Sequence, residues 1–353
     1  MKLIYRTDWQ KIKERDQSKL WIDKNENSDE ILNRINFNYL KNVDHKSIFA
    51  YPDLGRLYKS LAKFLKLKID NIMLSAGADG AIKSVFENFT KKGDGILRFE
   101  PTFAMYSIYP KIYGLKDIVI NYTKSKNGPY LDQEVFLKKI KKSKPKLICI
   151  ANPNSPTGTI LKKNEMIKVF RLAKQMKSII LLDEAYYPYY KHTYKSLINK
   201  FDNLVIVRTT KSFGMSGMRV GYLISNKKIV QFLKQSRQLY EINNLGAKLF
   251  LHLIKNYKFV KASIKRLENG KSYFISEMKK LNFDLLPGNA NFLHVNFGKK
   301  RGKILKNLRK ISYIREIESH PSLKNYSRIT LTSKSNFKKI VKQVKNAIKK
   351  RYN

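Results

Sequence analysis

Between Asn71 and Ser225 short apolar runs alternate with segments of helical periodicity, and this alternation restricts the fold more than any other feature of the chain. The runs are Asn71-Ile72-Met73-Leu74, Lys146-Leu147-Ile148-Cys149-Ile150, Ser178-Ile179-Ile180-Leu181-Leu182 and Asn203-Leu204-Val205-Ile206-Val207. They are apolar almost throughout. A strand reads that way when both of its faces are covered, as in a parallel sheet with helices on either side. Helical segments are predicted at Asp53–Leu67, Glu165–Met176 and Lys227–Tyr240. The expected class is α/β, with a mostly parallel sheet sandwiched by helices. Ligands of such sheets bind beyond the carboxyl ends of the strands. The residues that follow each run therefore carry the functional information.

After Leu245 the character changes. A long helical region is predicted over Ala247–Leu281, then short strands at Phe292–Phe297, Ser312–Glu316 and Arg328–Thr332, then a basic helix at Asn336–Lys350. This reads as a smaller α+β domain to which the N-terminal segment contributes. The expected division is a large domain of residues 45–245 and a small domain of 1–44 and 246–353, with a hinge near Tyr240–Gly246. A chain of 353 residues is long enough to build both.

Four polar segments follow the runs. Gly77-Ala78-Asp79-Gly80 leads into a helical pattern from Ala81 to Phe89. Glycine at a strand-to-helix turn exposes backbone N–H groups at a helix N-terminus, which can cradle a phosphate. Many α/β turns look alike, so this signal is weak alone. Ala151-Asn152-Pro153-Asn154-Ser155-Pro156-Thr157-Gly158 makes a rigid polar loop, and by itself could be a plain turn. Asp183 closes its run in Asp183-Glu184-Ala185-Tyr186, where it is placed for a cationic partner or for a cap. The last segment is Arg208-Thr209-Thr210-Lys211-Ser212-Phe213-Gly214-Met215-Ser216-Gly217-Met218-Arg219-Val220-Gly221. A lysine framed by hydroxyls, with Arg219 eight residues on, suits a covalent imine to a phosphorylated aldehyde. Lys211 would supply the amine, and Thr210 and Arg219 would hold the phosphate. A solvated lysine in a Gly-rich loop is the plain alternative, and the other three motifs weigh against it.

In this order and spacing the motifs resemble those of fold-type I pyridoxal 5'-phosphate (PLP) enzymes of the aminotransferase class I/II, most of all the histidinol-phosphate aminotransferases. The resemblance runs from Tyr51-Pro52 to Arg328 and beyond. It implies a large PLP-binding domain and a smaller α+β domain. It implies that Lys211 bonds to the cofactor and relays a proton, that Asp183 pairs with the ring nitrogen, and that Tyr186 bonds the phenolic oxygen. Phe103 falls where an aromatic stacks on the ring, although core packing would explain it as well. Gly77, Ala78 and Asp79 would cradle the phosphate with Thr210 and Arg219. Asn154 and Ser155 would lie beside the phenolic oxygen. Arg315, Arg328 and Asn25 would face an anionic substrate. Tyr51 matches a tyrosine that reaches the phosphate of the neighbouring subunit, which implies a homodimer with a shared active site. The implied activity moves an amino group between a small anionic amine or amino acid, phosphorylated or not, and 2-oxoglutarate or glutamate. Decarboxylation of a phosphorylated amino acid, such as threonine or serine phosphate, is the alternative. The choice depends on which Cα bond stands perpendicular to the ring, and the residues leave that open.

The departures from the family pattern cluster on the substrate side. Ser155 stands where relatives carry a second Asn, and Gly80 where they often carry Glu. Asn25-Glu26-Asn27 is kept, but no Pro-Gly-Pro-like continuation follows, and Thr332 stands where Gly is usual.

The formal net charge is +45. The lysines are spread along the chain instead of blocked into one tail. Lys, Ile, Asn and Tyr are abundant together, so the excess reads as biased codon composition with neither nucleic acid nor membrane as partner, although a retired enzyme scaffold that binds DNA is a third reading. Such a field attracts anionic substrates and makes their association salt-sensitive. No run approaches the ~20 apolar residues of a membrane span, and the N-terminus shows no apolar signal core. Cys149 is the sole cysteine, so an intrachain disulfide is impossible. These features suit a cytoplasmic enzyme. The five histidines are scattered without ligand spacing, and no metal site is expected.

Overall fold

The computed structural model describes residues 9–11, 13–317 and 320–349. The signal-core reading of Met1–Asp8 and the end of the last helix at Lys350 lie outside the described residues. Seven strands form the main sheet: β1 (Ile72–Ala76), β2 (Gly95–Glu100), β3 (Lys116–Asn121), β4 (Leu147–Ala151), β5 (Ile179–Asp183), β6 (Leu204–Thr209) and β7 (Val220–Ile224). Their order is β1-β7-β6-β5-β4-β2-β3. Only the pairings of β7 with β1 and β6 are antiparallel. The continuous apolar runs have the cause inferred from them. In β4, Ile148 and Ile150 enter one hydrophobic core, while Leu147, Cys149 and Ala151 enter another on the opposite face.

Register brings the motifs to one edge. Ala151 lies opposite Asp183, and Asp183 opposite Val207. Thr209 lies opposite Gly221, and Val220 opposite Ala76. The carboxyl ends of β1, β4, β5 and β6 are thus level. Because β7 is reversed, it begins at that same edge, and Arg219 arrives there just before it.

A second sheet holds β8 (Asp284–Leu286), β9 (Phe292–Asn296), β10 (Arg315–Glu316) and β11 (Tyr326–Thr330), antiparallel in the order β8-β9-β11-β10. It shares a separate core with the helices Tyr257–Lys280, Arg301–Leu308 and Lys334–Lys349. The N-terminal segment joins this part of the molecule: Leu20–Trp21 pairs with Ser312–Tyr313, and the Thr330 N–H donates to the Ile22 carbonyl at 2.9 Å.

Three predicted elements need correction. The helix predicted over Lys227–Tyr240 ends at Lys234. Leu233 is its last buried apolar residue, and Leu239 and Tyr240 are exposed. The region Ala247–Leu281 is two helices, Asn244–Lys255 and Tyr257–Lys280. Asn256 breaks them: its side-chain amide donates to the His252 carbonyl at 3.0 Å, in competition with the helix backbone. The strand predicted at Ser312–Glu316 is divided at Ile314 between two sheets.

Candidate active site

The level strand ends enclose a cavity of about 340 Å³. At one end the helix Gly77–Phe89 presents its first turn. Gly77 has φ +70°, and a Cβ there would stand 2.9 Å from Nη2 of Arg219. A Cβ on Gly221 would lie 2.3 Å from the Gly77 carbonyl carbon. Both positions therefore require glycine, so that β7 and the turn can close on each other. Ala78, Asp79, Thr210, Ser216 and Arg219 line the same end. The Thr210 hydroxyl donates to the Val220 carbonyl at 2.9 Å. Ser216 Oγ is buried and has no partner among the described residues. Free N–H groups at a helix start, an arginine and an unpartnered hydroxyl make an anion cup.

Lys211 lies on the cavity wall with its ammonium 5.1 Å from the centre of the Tyr186 ring. Asp183 is 6% exposed. One carboxylate oxygen accepts the Ala185 N–H at 2.8 Å, and the other the Tyr106 hydroxyl at 3.2 Å. Burial pushes its pKa up to about 6, against the pull of the Ala185 N–H, the Lys211 charge and Tyr106. Phe103 also lines the cavity, edge-on to Tyr106.

The other end is assembled from distant segments. The Asn25 amide donates to the Tyr186 hydroxyl at 2.8 Å, which leaves the tyrosine proton free to point elsewhere. Asn25 has φ 59° and is held by Thr330 and Asn291. Arg328 donates to the Asp23 carbonyl at 2.7 Å and to Ser155 Oγ at 3.3 Å, while its buried Nε has no partner among the described residues. Burial, and the charge of Arg315, lower its pKa. His294 lies opposite Arg328 in register. Burial and the Arg328 charge push His294 down to about 3, so it stays neutral.

The cavity brings together Gly77, Ala78, Asp79, Phe103, Ser155, Asp183, Tyr186, Thr210, Lys211, Arg219, Arg328 and Asn25, all singled out by sequence. Three expected residues lie elsewhere. Asn154 is fully buried behind the wall, its amide bonded to the Pro101 carbonyl and to the Thr102 and Thr157 hydroxyls, so it shapes the loop without facing the cavity. Arg315 lies opposite Arg328 on the neighbouring strand, is exposed, and does not line the cavity. Tyr51 is 76% exposed and stacked on Tyr240 at 4.2 Å, away from the cavity of its own chain. Sequence reading missed Tyr106, Tyr109, Ser216 and Lys24. Tyr106 and Tyr109 had a signal, one helical turn apart after Phe103, and Tyr109 bonds Asp79 at 2.9 Å.

The pattern of the aminotransferase class I and II family matches residues 17–344. The chain belongs to that family. A histidinol-phosphate aminotransferase of Caldanaerobacter subterraneus is 32% identical over 292 residues, covering 82% of this chain and 81% of its own. The solved histidinol-phosphate aminotransferase of Clostridium acetobutylicum is 26% identical, with a TM-score of 0.79 over 93% of this chain and 98% of that one. An L-threonine-O-3-phosphate decarboxylase of Porphyromonas gingivalis shares the fold, with a TM-score of 0.74 at 18% identity over 94% and 100% of the two chains. The cofactor of the family is PLP, and this aminotransferase's cavity fits it. The orphaned Ser216 hydroxyl and the glycine-bounded cup suit a phosphate, and Asp183 and Lys211 put a buried acid and an amine on the same cavity wall.

Proposed function

We propose that this aminotransferase takes the amino group of a small phosphorylated amine, of the histidinol phosphate kind, and passes it to 2-oxoglutarate, which leaves as glutamate. The observation that carries the reading is one cavity holding an anion cup, an amine, a buried acid and, opposite them, an arginine with an unused N–H. When bound, PLP supplies an electron sink for the pair released at the substrate Cα. Lys211 would hold the cofactor through its Nζ, and the same amine would serve as the proton carrier at the substrate Cα. Asp183 keeps the ring nitrogen protonated, and a cation there would draw its own pKa back down. Tyr186 donates to the phenolic oxygen, since Asn25 already occupies its acceptor side. Phe103, on the cavity wall, would cover a face of the cofactor ring. The N–H groups of Gly77 to Asp79, with Ser216 and Arg219, would hold the phosphate, and the Thr210 hydroxyl would join them by turning from the Val220 carbonyl. Arg328 binds the substrate anion through its fork, with Arg315 farther out.

We further infer a large PLP-binding domain of residues 45–245 and a small domain of 1–44 and 246–353; the separate core under the second sheet supports two domains, while Leu32 and the helix Asn244–Lys255 pack into the core of the large one. A homodimer is supported by an exposed apolar face at Ile48, Phe49, Tyr51 and Leu239, each more than 70% exposed. Across such an interface Tyr51 of the partner subunit would reach the cup. Among the described residues no helix is long and apolar enough to cross a membrane. We place the enzyme in the cytoplasm, where the buried thiol of Cys149 stays reduced.

The test is a half-reaction screen on purified holoenzyme. Candidate amines are added, and the cofactor absorbance is followed from the aldehyde form to the amine form. Conversion by histidinol phosphate and by glutamate supports the reading. Release of CO₂ from a phosphorylated amino acid, without any need for 2-oxoglutarate, would replace it with decarboxylation.

A further inference from the structure

The cations that face the cavity are Lys24, Lys211, Arg219 and Arg328, and the acids are Asp79 and Asp183. Asp183 is occupied by Ala185 and Tyr106, and Asp79 by Tyr109. If Lys211 and Arg219 serve the cofactor, Arg328 and Lys24 remain for the substrate. The position of Lys24 is determined on both sides. The Asp23 carbonyl before it accepts from Arg328 at 2.7 Å, and Asn25 after it bonds Tyr186 at 2.8 Å. Its backbone is therefore anchored to the cavity wall while its side chain is exposed at the mouth.

Two carboxylates close to Lys24 in sequence could have neutralised it. Both are drawn away. Arg15 pairs with Asp23 at 3.2 Å and with Glu26 at 2.8 Å, in bidentate fashion with the latter. Arg15 is itself laid over the Trp21 ring at 3.9 Å, which fixes the clamp. Lys24 has no ion pair among the described residues and stands as an uncompensated positive charge beside the cavity.

We propose that Lys24 is a specificity-determining residue that meets the outer anionic group of the substrate and gives the site its preference for a doubly charged phosphate over a singly charged carboxylate. This rests on the function proposed above and deepens it. The two cations are suited to different tasks. Arg328 offers a flat fork, and Lys24 offers a compact charge on a flexible stem that can follow a tetrahedral group. The Arg15 clamp is a positioning device: it keeps Asp23 and Glu26 from quenching Lys24.

The experiment compares inorganic phosphate and acetate as ligands of the holoenzyme, titrated by the change in cofactor absorbance. Lys24→Ala should weaken phosphate about 5-fold and acetate less than about 2-fold, with the difference shrinking as salt is raised. Lys24→Arg keeps the charge but not the compact head, so it should bind acetate as wild type does and phosphate within about 2-fold of wild type. A second route reaches the same charge from behind: Arg15→Gln, which frees Asp23 and Glu26, should weaken phosphate in the same selective way. Equal weakening of both anions by Lys24→Ala, or no change in either, would overturn the proposal. The function reading fails separately: if wild type converts no phosphorylated amine, that reading is lost, while the phosphate-to-acetate ratio still decides the role of Lys24.

Discussion

The two ends of the cavity are built by different means. The cofactor end is made of strand ends in one sheet, and its cup comes from two short segments, residues 77–79 and 210–219. Backbone register alone puts them side by side. The substrate end is made from Lys24, Asn25, Ser155 and Arg328, which meet only because the N-terminal segment lies against the small sheet. An end built from backbone tolerates little variation in its chemistry. An end built from long side chains across distant contacts can change its charge without disturbing the sheet. Of the departures from the family pattern, Ser155 lines the second end, whereas Gly80 lies in the helix that starts at the cup and Thr332 lines neither end.

Substitutions at the cofactor end should therefore damage the rate, and substitutions at the substrate end should damage affinity. The largest effect is expected from Lys211→Ala. It removes both the covalent anchor and the proton carrier, so turnover should fall about 10³-fold or more. The cup is intact in this variant, and PLP should still bind without a covalent bond. Normal turnover in it would dissolve the distinction between the two ends.

Asp183→Asn should come next, with a loss of about 10²-fold in kcat and little change in KM, because a neutral amide cannot hold the ring-nitrogen proton. The same substitution has a pH signature without cofactor. Burial raises Asp183 from an ordinary 3.8 to about 6, so folding favours its protonated form. Its contribution is present below pH 4 and is lost as pH rises through about 6, up to about 3 kcal/mol. Urea unfolding of the apoenzyme between pH 4 and 7 should show this decline in wild type and not in Asp183→Asn. Added PLP should abolish it, since a cationic ring nitrogen favours the carboxylate. A decline that persists with PLP bound would place the ring nitrogen elsewhere.

At the substrate end Arg328→Lys should raise KM for anionic substrates about 10-fold and leave kcat within about 2-fold, since the charge stays but the fork is lost. A fall in kcat alone would mean that Arg328 acts on the cofactor end.

The same contrast explains what could be read from sequence. The apolar runs and the segments after them are local, so the sheet, the cup, Lys211 and Asp183 were all legible. Tyr106 was harder, because its bond to Asp183 spans 77 residues and only helical spacing from Phe103 hinted at it. Lys24 could not be found from its neighbours. Asp23 and Glu26 stand beside it in sequence, and only the fold shows Arg15 taking both. Asn154 misled for the opposite reason. Its motif points toward the cofactor, but the loop turns its amide inward to Pro101 and Thr157. The helix predicted to reach Tyr240 stops early because a period of apolar residues continues in sequence where no surface remains to cover them.

The smallest effect should come from Ser155→Ala. Relatives carry a larger side chain at this position, and a cofactor role would make its loss costly to the rate. In this structure Ser155 Oγ instead accepts from Arg328 at 3.3 Å, a long bond, while the Asp23 carbonyl holds the same guanidinium at 2.7 Å. Removing the weaker of two acceptors leaves Arg328 anchored. The expected result is a rise of about 2-fold in KM for the anionic substrate, with kcat and PLP affinity unchanged. A large drop in PLP affinity would move Ser155 to the cofactor end, and the boundary between the two constructions would have to be drawn through the loop of residues 151–158 instead of beside it.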